Sequence, residues 1–192
     1  FPKKLSLYFS ILNMLTRQLI NVPVHLGLEH YPNIYCGVAV FLLYPLYVMD
    51  KDINLCEKIG KSVLLLVFLT AFNLNIPNFI WHGFHYPNSL PCRQSFIYIF
   101  FLLTMCYEAL SHIKRMTSRQ LGIAVWISLG LLVLIEQVFT VDETYDFKAI
   151  YLSGAFILVY AGLMIVYNKT NWKLPVTCLL YTSPSPRDPK TS

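Results

Sequence analysis

The sequence predicts an all-α integral membrane protein, with about five transmembrane helices of a larger multi-pass bundle and an N-terminal amphipathic helix. Three observations carry this reading. Of the 192 residues, 56% are hydrophobic and only 13% charged, against roughly 45–50% and about 25% in ordinary soluble domains. Aromatic residues reach 15% and the mean hydropathy is +0.53. Finally, long apolar runs alternate with short loops that differ in charge. The composition excludes a disordered chain and a basic nucleic-acid-binding domain, so no nucleic-acid partner is expected.

The first element is expected in residues 1–33. Leu5, Tyr8, Phe9, Leu12, Leu15 and Leu19 recur at helical spacing, with Ser6, Ser10, Asn13 and Arg17 on the other side. This periodicity predicts an amphipathic helix. Two placements are open: in the outer membrane interface, or packed on a part of the protein beyond this sequence.

A bilayer core of about 30 Å requires roughly 17–25 mostly apolar residues, because each rises about 1.5 Å and backbone groups in lipid must bond within the helix. Five runs in a bundle over 34–177 qualify or nearly do. They are 34–49, short and interrupted by Pro45; 62–81, carrying Asn73, Asn75 and Pro77 near its far end; 95–110; 121–139; and 149–167. No charged residue lies midway along them, since Glu108 and Glu136 fall near helix ends. That argues against an ion-coupled transporter with its site in these residues.

The loops give an orientation. Lys51, Lys58, Lys61, Lys114, Arg115, Arg119, Lys169 and Lys173 fall on one side, and only Arg93 and Lys148 on the other. The positive-inside rule then places residues 1–33, the loop around 73–94 and the loop after 139 outside. Lys3, Lys4 and Arg17 weigh weakly against this, being far from the first span.

The ends carry their own expectations. The chain starts at Phe1 without Met or a signal peptide and is expected to be an internal piece of a longer reading frame. Residues 178–192 resemble a translated sequencing adapter and are set aside as a non-native tail, which lowers the formal charge from +5 to +4. The remaining cysteines lack metal-ligand spacing. Cys36 and Cys92 fall near the same face, where a pair and two free thiols are equally open.

The most unusual stretch is 73–94, NLNIPNFIWHGFHYPNSLPCRQ. A plain helix connection needs only a few polar residues. Here Pro77, Pro87 and Pro91 stiffen the backbone, Gly83 permits a conformation closed to other residues, and the mixture predicts a re-entrant or folded loop. Trp81, Phe84 and Tyr86 suit the headgroup level or the face of a sugar ring. Arg93 carries a permanently charged planar donor fork that matches a phosphate, and it equally suits snorkelling to lipid headgroups. His82 and His85 form an H-x-x-H pair without an evident third ligand, so hydrogen bonding or proton transfer is favoured over a metal. Asn88 beside Pro87 suits a turn. Asp142, Glu143 and Asp146 read as a solvated acidic loop.

The segment 81–100, WHGFHYPNSLPCRQSFIYIF, resembles the signature of the bacterial YfhO membrane proteins at His82, Gly83, Phe84, Pro87, Asn88, Pro91, Arg93, Ser95 and Phe96. Upstream, PNIYCG at 32–37 is also similar, so the likeness covers about 32–110. The resemblance implies a multi-spanning glycosyltransferase-like protein of GT-C architecture. Such a protein takes a sugar from a polyprenyl-phosphate donor and places it on a cell-envelope polymer, such as a teichoic acid, at the outer face of the bacterial membrane. It also implies a catalytic acidic residue in an upstream outer loop, so no catalytic residue is assigned here. The site expected from residues and resemblance together is Arg93 at the donor phosphate, with His82, His85 and Asn88 shaping the pocket or holding sugar hydroxyls. The expected partners are membrane lipids, the polyprenyl-phosphate-linked sugar and the polymer acceptor, with no cofactor and no metal-ligating residue assigned. Two other classes compete: a multi-pass transporter or lipid flippase, and a non-catalytic scaffold.

Overall fold

A computed structural model describes residues 5–8, 11–21, 32–85, 92–139 and 147–169. The tail at 178–192 and the acidic loop of Asp142, Glu143 and Asp146 lie outside the described residues. The described residues form seven α-helices and no strand of a sheet: α1 (Ile11–Thr16), α2 (Val40–Met49), α3 (Leu55–Asn73), α4 (Asn75–Trp81), α5 (Ser95–Ser111), α6 (Ser118–Phe139) and α7 (Phe147–Lys169). A short 3-10 turn, Ile113–Arg115, joins α5 to α6.

Helices α6 and α7 are long and apolar enough to cross a membrane, whereas α2 and α5 are shorter apolar helices. The expected runs at 95–110, 121–139 and 149–167 reappear as α5, α6 and α7 with ends displaced by three residues or fewer. The run at 34–49 yields only the ten residues of α2, about 15 Å of helix. The run at 62–81 is not one helix. Its helix begins earlier, where Asn54 accepts a hydrogen bond from the Cys56 N–H at 3.1 Å and caps α3. It stops at Asn73, and Leu74 is extended.

Central α2 buries residues on all sides, from Val40 to Leu43 and Pro45 to Tyr47, against α5 and α6. A helix apolar all round belongs inside a bundle. Its proline creates a specific need, because Pro45 has no N–H and leaves the Phe41 carbonyl without its intrahelical donor. The Ser128 hydroxyl of α6, fully buried, donates to that carbonyl at 2.7 Å and also lies 2.7 Å from the Ala124 carbonyl of its own helix.

The same logic explains the break after α3. Pro77 cannot donate to the Asn73 carbonyl, and the Tyr8 N–H does so at 2.9 Å. Asn75 N–H donates to the Ser6 carbonyl at 3.2 Å, and the Ser6 N–H returns to Asn75 Oδ1 at 3.0 Å. Residues 5–8 therefore form an antiparallel bridge, Leu7 to Leu74, that covers the opened backbone. In an apolar medium each of those groups left unpaired would cost several kcal/mol.

The N-terminal segment departs from the expected amphipathic helix. Among its described residues only α1 is helical, and Met14, Thr16, Leu19 and Ile20 are buried together with Arg17 and Gln18. Arg17, expected on the polar face, turns inward to the Pro32 carbonyl and Asn33 Oδ1, at 3.4 and 3.1 Å. Gln18 donates to the Ile34 carbonyl at 2.8 Å. Helix α1 packs on α6 of this chain.

At the opposite end, charged side chains hold the helix termini. Thr117 and Gln120 exchange hydrogen bonds as a capping box at the start of α6, and Gln120 Nε2 also donates to the Met49 carbonyl at 2.9 Å. Lys58 caps the Val48 carbonyl at 3.0 Å, and Asn168 of α7 donates to the Ile113 and Met116 carbonyls. Lys61 bridges Glu57 and Glu108 at 2.6 and 2.5 Å. Asp52 pairs with Arg115 at 2.8 Å, and that hydrogen bond, more than the charge of the guanidinium, holds its carboxyl below the ordinary carboxylate range. A depressed carboxyl stabilises the fold above its ordinary value of 3.8 and stops doing so as pH falls through its lowered value. The Asp52→Asn protein is expected to lose less stability than the parent between about pH 4 and pH 2. Parallel unfolding curves for the two proteins across that range would show that the pair does not contribute.

Candidate functional site

The stretch singled out in the sequence is built by a helical hairpin. A helix continued straight from Phe68 to Trp81 would set those rings roughly 20 Å apart. Instead their centroids are 5.1 Å apart in an edge-to-face contact. Helix α4 thus doubles back along α3 from the break at Leu74, as a re-entrant loop requires. Phe68 also stacks on Phe101 at 6.4 Å, and Phe72 meets Tyr98 at 5.8 Å, which fixes the hairpin against α5.

Beyond Trp81 the backbone reverses through two left-handed residues, Gly83 (φ +68°) and Phe84 (φ +62°). Glycine takes this conformation freely and phenylalanine does not, so Phe84 is strained there and its ring is held against Phe79 at 6.0 Å. A third left-handed residue, Cys92 (φ +61°), sets the turn into α5, with the Ser95 N–H on the Cys92 carbonyl. Cys36 and Cys92 are not joined to each other in a disulfide. Cys92 Sγ is buried against the Phe72 carbonyl, and Cys36 Sγ lies 3.5 Å from Gln18 Oε1.

The structure places three of the four expected site residues. His82 is half-buried, with Nδ1 2.8 Å from the Asn78 carbonyl, while His85 and Arg93 are exposed. Asn88 lies outside the described residues. No hydrogen bond or ion pair joins Arg93 to His82 or His85 among the described residues. Two residues that the sequence reading passed over are Asn78 and Gln94. Both side-chain amides are buried, and among the described residues neither the oxygen nor the nitrogen of either has a partner. His82 Nε2 is likewise buried without a partner among the described residues. An asparagine inside the apolar run IPNFIW was the available signal for Asn78.

Beside this end runs an apolar groove of about 640 Å³ between α1, α2, α3, α5 and α6. Phe41, Leu65 and Leu102 form its floor, and the exposed Val63, Leu66 and Ile127 lie at its margin. Its few polar groups include Gln18 and Tyr98 at one end and Tyr44, bonded to Ser62 at 3.2 Å, towards the other.

Among the described residues, an all-helical bundle with two helices long and apolar enough to cross a membrane, and with prolines whose orphaned carbonyls are met inside the chain, has the build of a membrane protein. The particular family follows from the sequence match: residues 4–183 fit the family described as bacterial membrane protein YfhO, and the chain belongs to that family. Comparison with curated proteins and with solved structures found no match.

Proposed function

We propose that this YfhO-family protein takes part in glycosyl transfer at the outer face of the bacterial membrane. In this reading the sugar comes from a polyprenyl-phosphate donor and passes to a cell-envelope polymer such as a teichoic acid. The observation that carries the proposal is the pairing of a long apolar groove with unpartnered polar groups at one end of the bundle. The groove has the volume and lining for an isoprenoid chain. Tyr98 at its end stands five residues from Arg93, whose fork suits the donor phosphate. The amides of Asn78 and Gln94 and the ring of His82 offer neutral donors and acceptors for sugar hydroxyls. Left unanswered, each costs about 1–3 kcal/mol. His85 adds to the polar rim in this reading, and Asn88 is assigned to the sugar from the sequence alone. In this reading α3, α5, α6 and α7 cross the membrane, and α2 makes a fifth crossing together with the apolar residues 34–39 before it.

The test of function is transfer of labelled sugar from a polyprenyl phosphate by the intact protein in proteoliposomes, with Arg93 as the position at which transfer must fail. Absence of transfer from polyprenyl-phosphate sugars to any envelope polymer would leave the groove as a transport or scaffold feature. Orientation has a separate test at Cys56, which is exposed at the start of α3. It is expected to resist an impermeant thiol reagent in intact cells and to react after permeabilisation, whereas labelling in intact cells would invert the topology.

A further inference from the structure

At the basic end of the bundle, remote from the polar hairpin, a second cavity of about 420 Å³ opens between the α2–α3 loop and the start of α6. Asp50, Lys51, Asp52, Arg115, Arg119 and Gln120 are among the residues that line it. The two carboxylates are occupied. Asp50, nearly fully buried, accepts from His112 Nδ1 at 2.7 Å and from the Asp52 N–H at 2.9 Å, and Asp52 accepts from Arg115. Asp50, Asp52 and His112 also bring one ligand-type atom each within 4.8 Å of one another. Their hydrogen bonds to each other and to Arg115 make them a fixed wall rather than an open cation site.

The cations are not balanced in this way. Lys51 and Arg119 line the same cavity, and among the described residues neither makes an ion pair. Three cationic side chains therefore face two carboxylates that are already bonded, so the cavity keeps an excess of positive charge. One wall is apolar: Met116 and Ile123 line it, and Ile123 begins a stripe on α6 that continues through exposed Trp126 and Ile127 into the membrane-length part of the helix. A free anion has no use for that stripe. A molecule with a phosphate head and a hydrocarbon tail fits both halves.

We propose that this cavity binds the headgroup of an anionic phospholipid, with the phosphate between Lys51 and Arg119 and an acyl chain along Ile123, Trp126 and Ile127. Basic pockets at the cytoplasmic ends of membrane helices hold anionic headgroups in this way. The lipid would fasten the α2–α3 loop to the start of α6, two elements otherwise tied here by the Gln120 to Met49 and Asp52 to Arg115 contacts. The headgroup site shares no residue with the polar hairpin, and the acyl path meets the apolar groove only at Ile127 on its margin, so Lys51, Arg119 and Ile123 test it apart from the proposed sugar transfer.

The test is lipid titration of the intact protein in a non-ionic detergent, followed by native mass spectrometry and thermal unfolding. Phosphatidylglycerol is expected to bind and raise the unfolding temperature, and phosphatidylcholine to do neither. With both cations removed, Lys51→Gln with Arg119→Gln, affinity for phosphatidylglycerol should fall roughly 25-fold, from about fivefold per cation. Ile123→Gln should also weaken phosphatidylglycerol binding. Both lining cations are exposed, so the double variant is expected to fold with an unchanged unfolding temperature in the absence of added lipid. Equal binding of phosphatidylcholine, or undiminished affinity in the double variant, would overturn the proposal. So would inorganic phosphate alone reproducing the full thermal shift, because that assigns the cavity to a free anion.

Discussion

Arg93→Lys in the intact protein is expected to lower the rate of sugar transfer by about 100-fold while leaving membrane levels and unfolding temperature unchanged. Lysine keeps the charge but loses the planar fork that grips two phosphate oxygens at once. If Arg93 meets the donor phosphate, its contribution grows as the sugar departs and negative charge collects on that phosphate. Removing one donor placed for such developing charge typically costs 10²–10³ in turnover. The loss should therefore appear in kcat more than in KM, and Arg93→Gln, which removes the charge too, should be slower still. Arg93 is exposed at the turn into α5, so neither substitution opens a cavity. An arginine that only snorkels to headgroups predicts the opposite outcome: lysine would replace it with full transfer.

The second large effect concerns the fold. Ser128→Ala is expected to destabilise the bundle by about 1–2 kcal/mol, measured by denaturant unfolding in micelles, because the Phe41 carbonyl then loses its Ser128 donor. In a Pro45→Ala background residue 45 regains an N–H that can serve Phe41 from within α2. There the same serine substitution should cost no more than about 0.5 kcal/mol, a coupling that a double-mutant cycle reads directly. Equal cost in both backgrounds would mean that the serine acts only through its bond to the Ala124 carbonyl.

These two positions show what could be read in advance. The fork of Arg93 and its polar neighbourhood were visible as residue types in one unusual stretch, and the family resemblance rested on the same letters. Pro45 was visible as an interruption. Its remedy was not, because Ser128 lies 87 positions from Phe41, whose carbonyl it serves, and nothing local marks it as a donor to α2. The same holds for Pro77. Its neighbours Asn73 and Asn75 looked like the polar end of a span, yet they mark a break whose backbone groups are met by Ser6 and Tyr8 at the other end of the chain. Arg17 looked solvent-facing from its spacing and is buried, because the carbonyl of Pro32 and the amide of Asn33 come round to receive it. The buried, unpartnered amides of Asn78 and Gln94 also had to wait for the structure, since burial at a helix reversal depends on which elements fold over it.

By itself, then, the sequence determined the membrane as solvent, the family, and the helices α5, α6 and α7, whose apolar length is a local property of the chain. Tertiary structure decided where helices stop and what their broken ends meet. A bilayer supplies no water to satisfy an orphaned carbonyl, so the carbonyls left open by Pro45 and Pro77 are met from distant parts of the same chain.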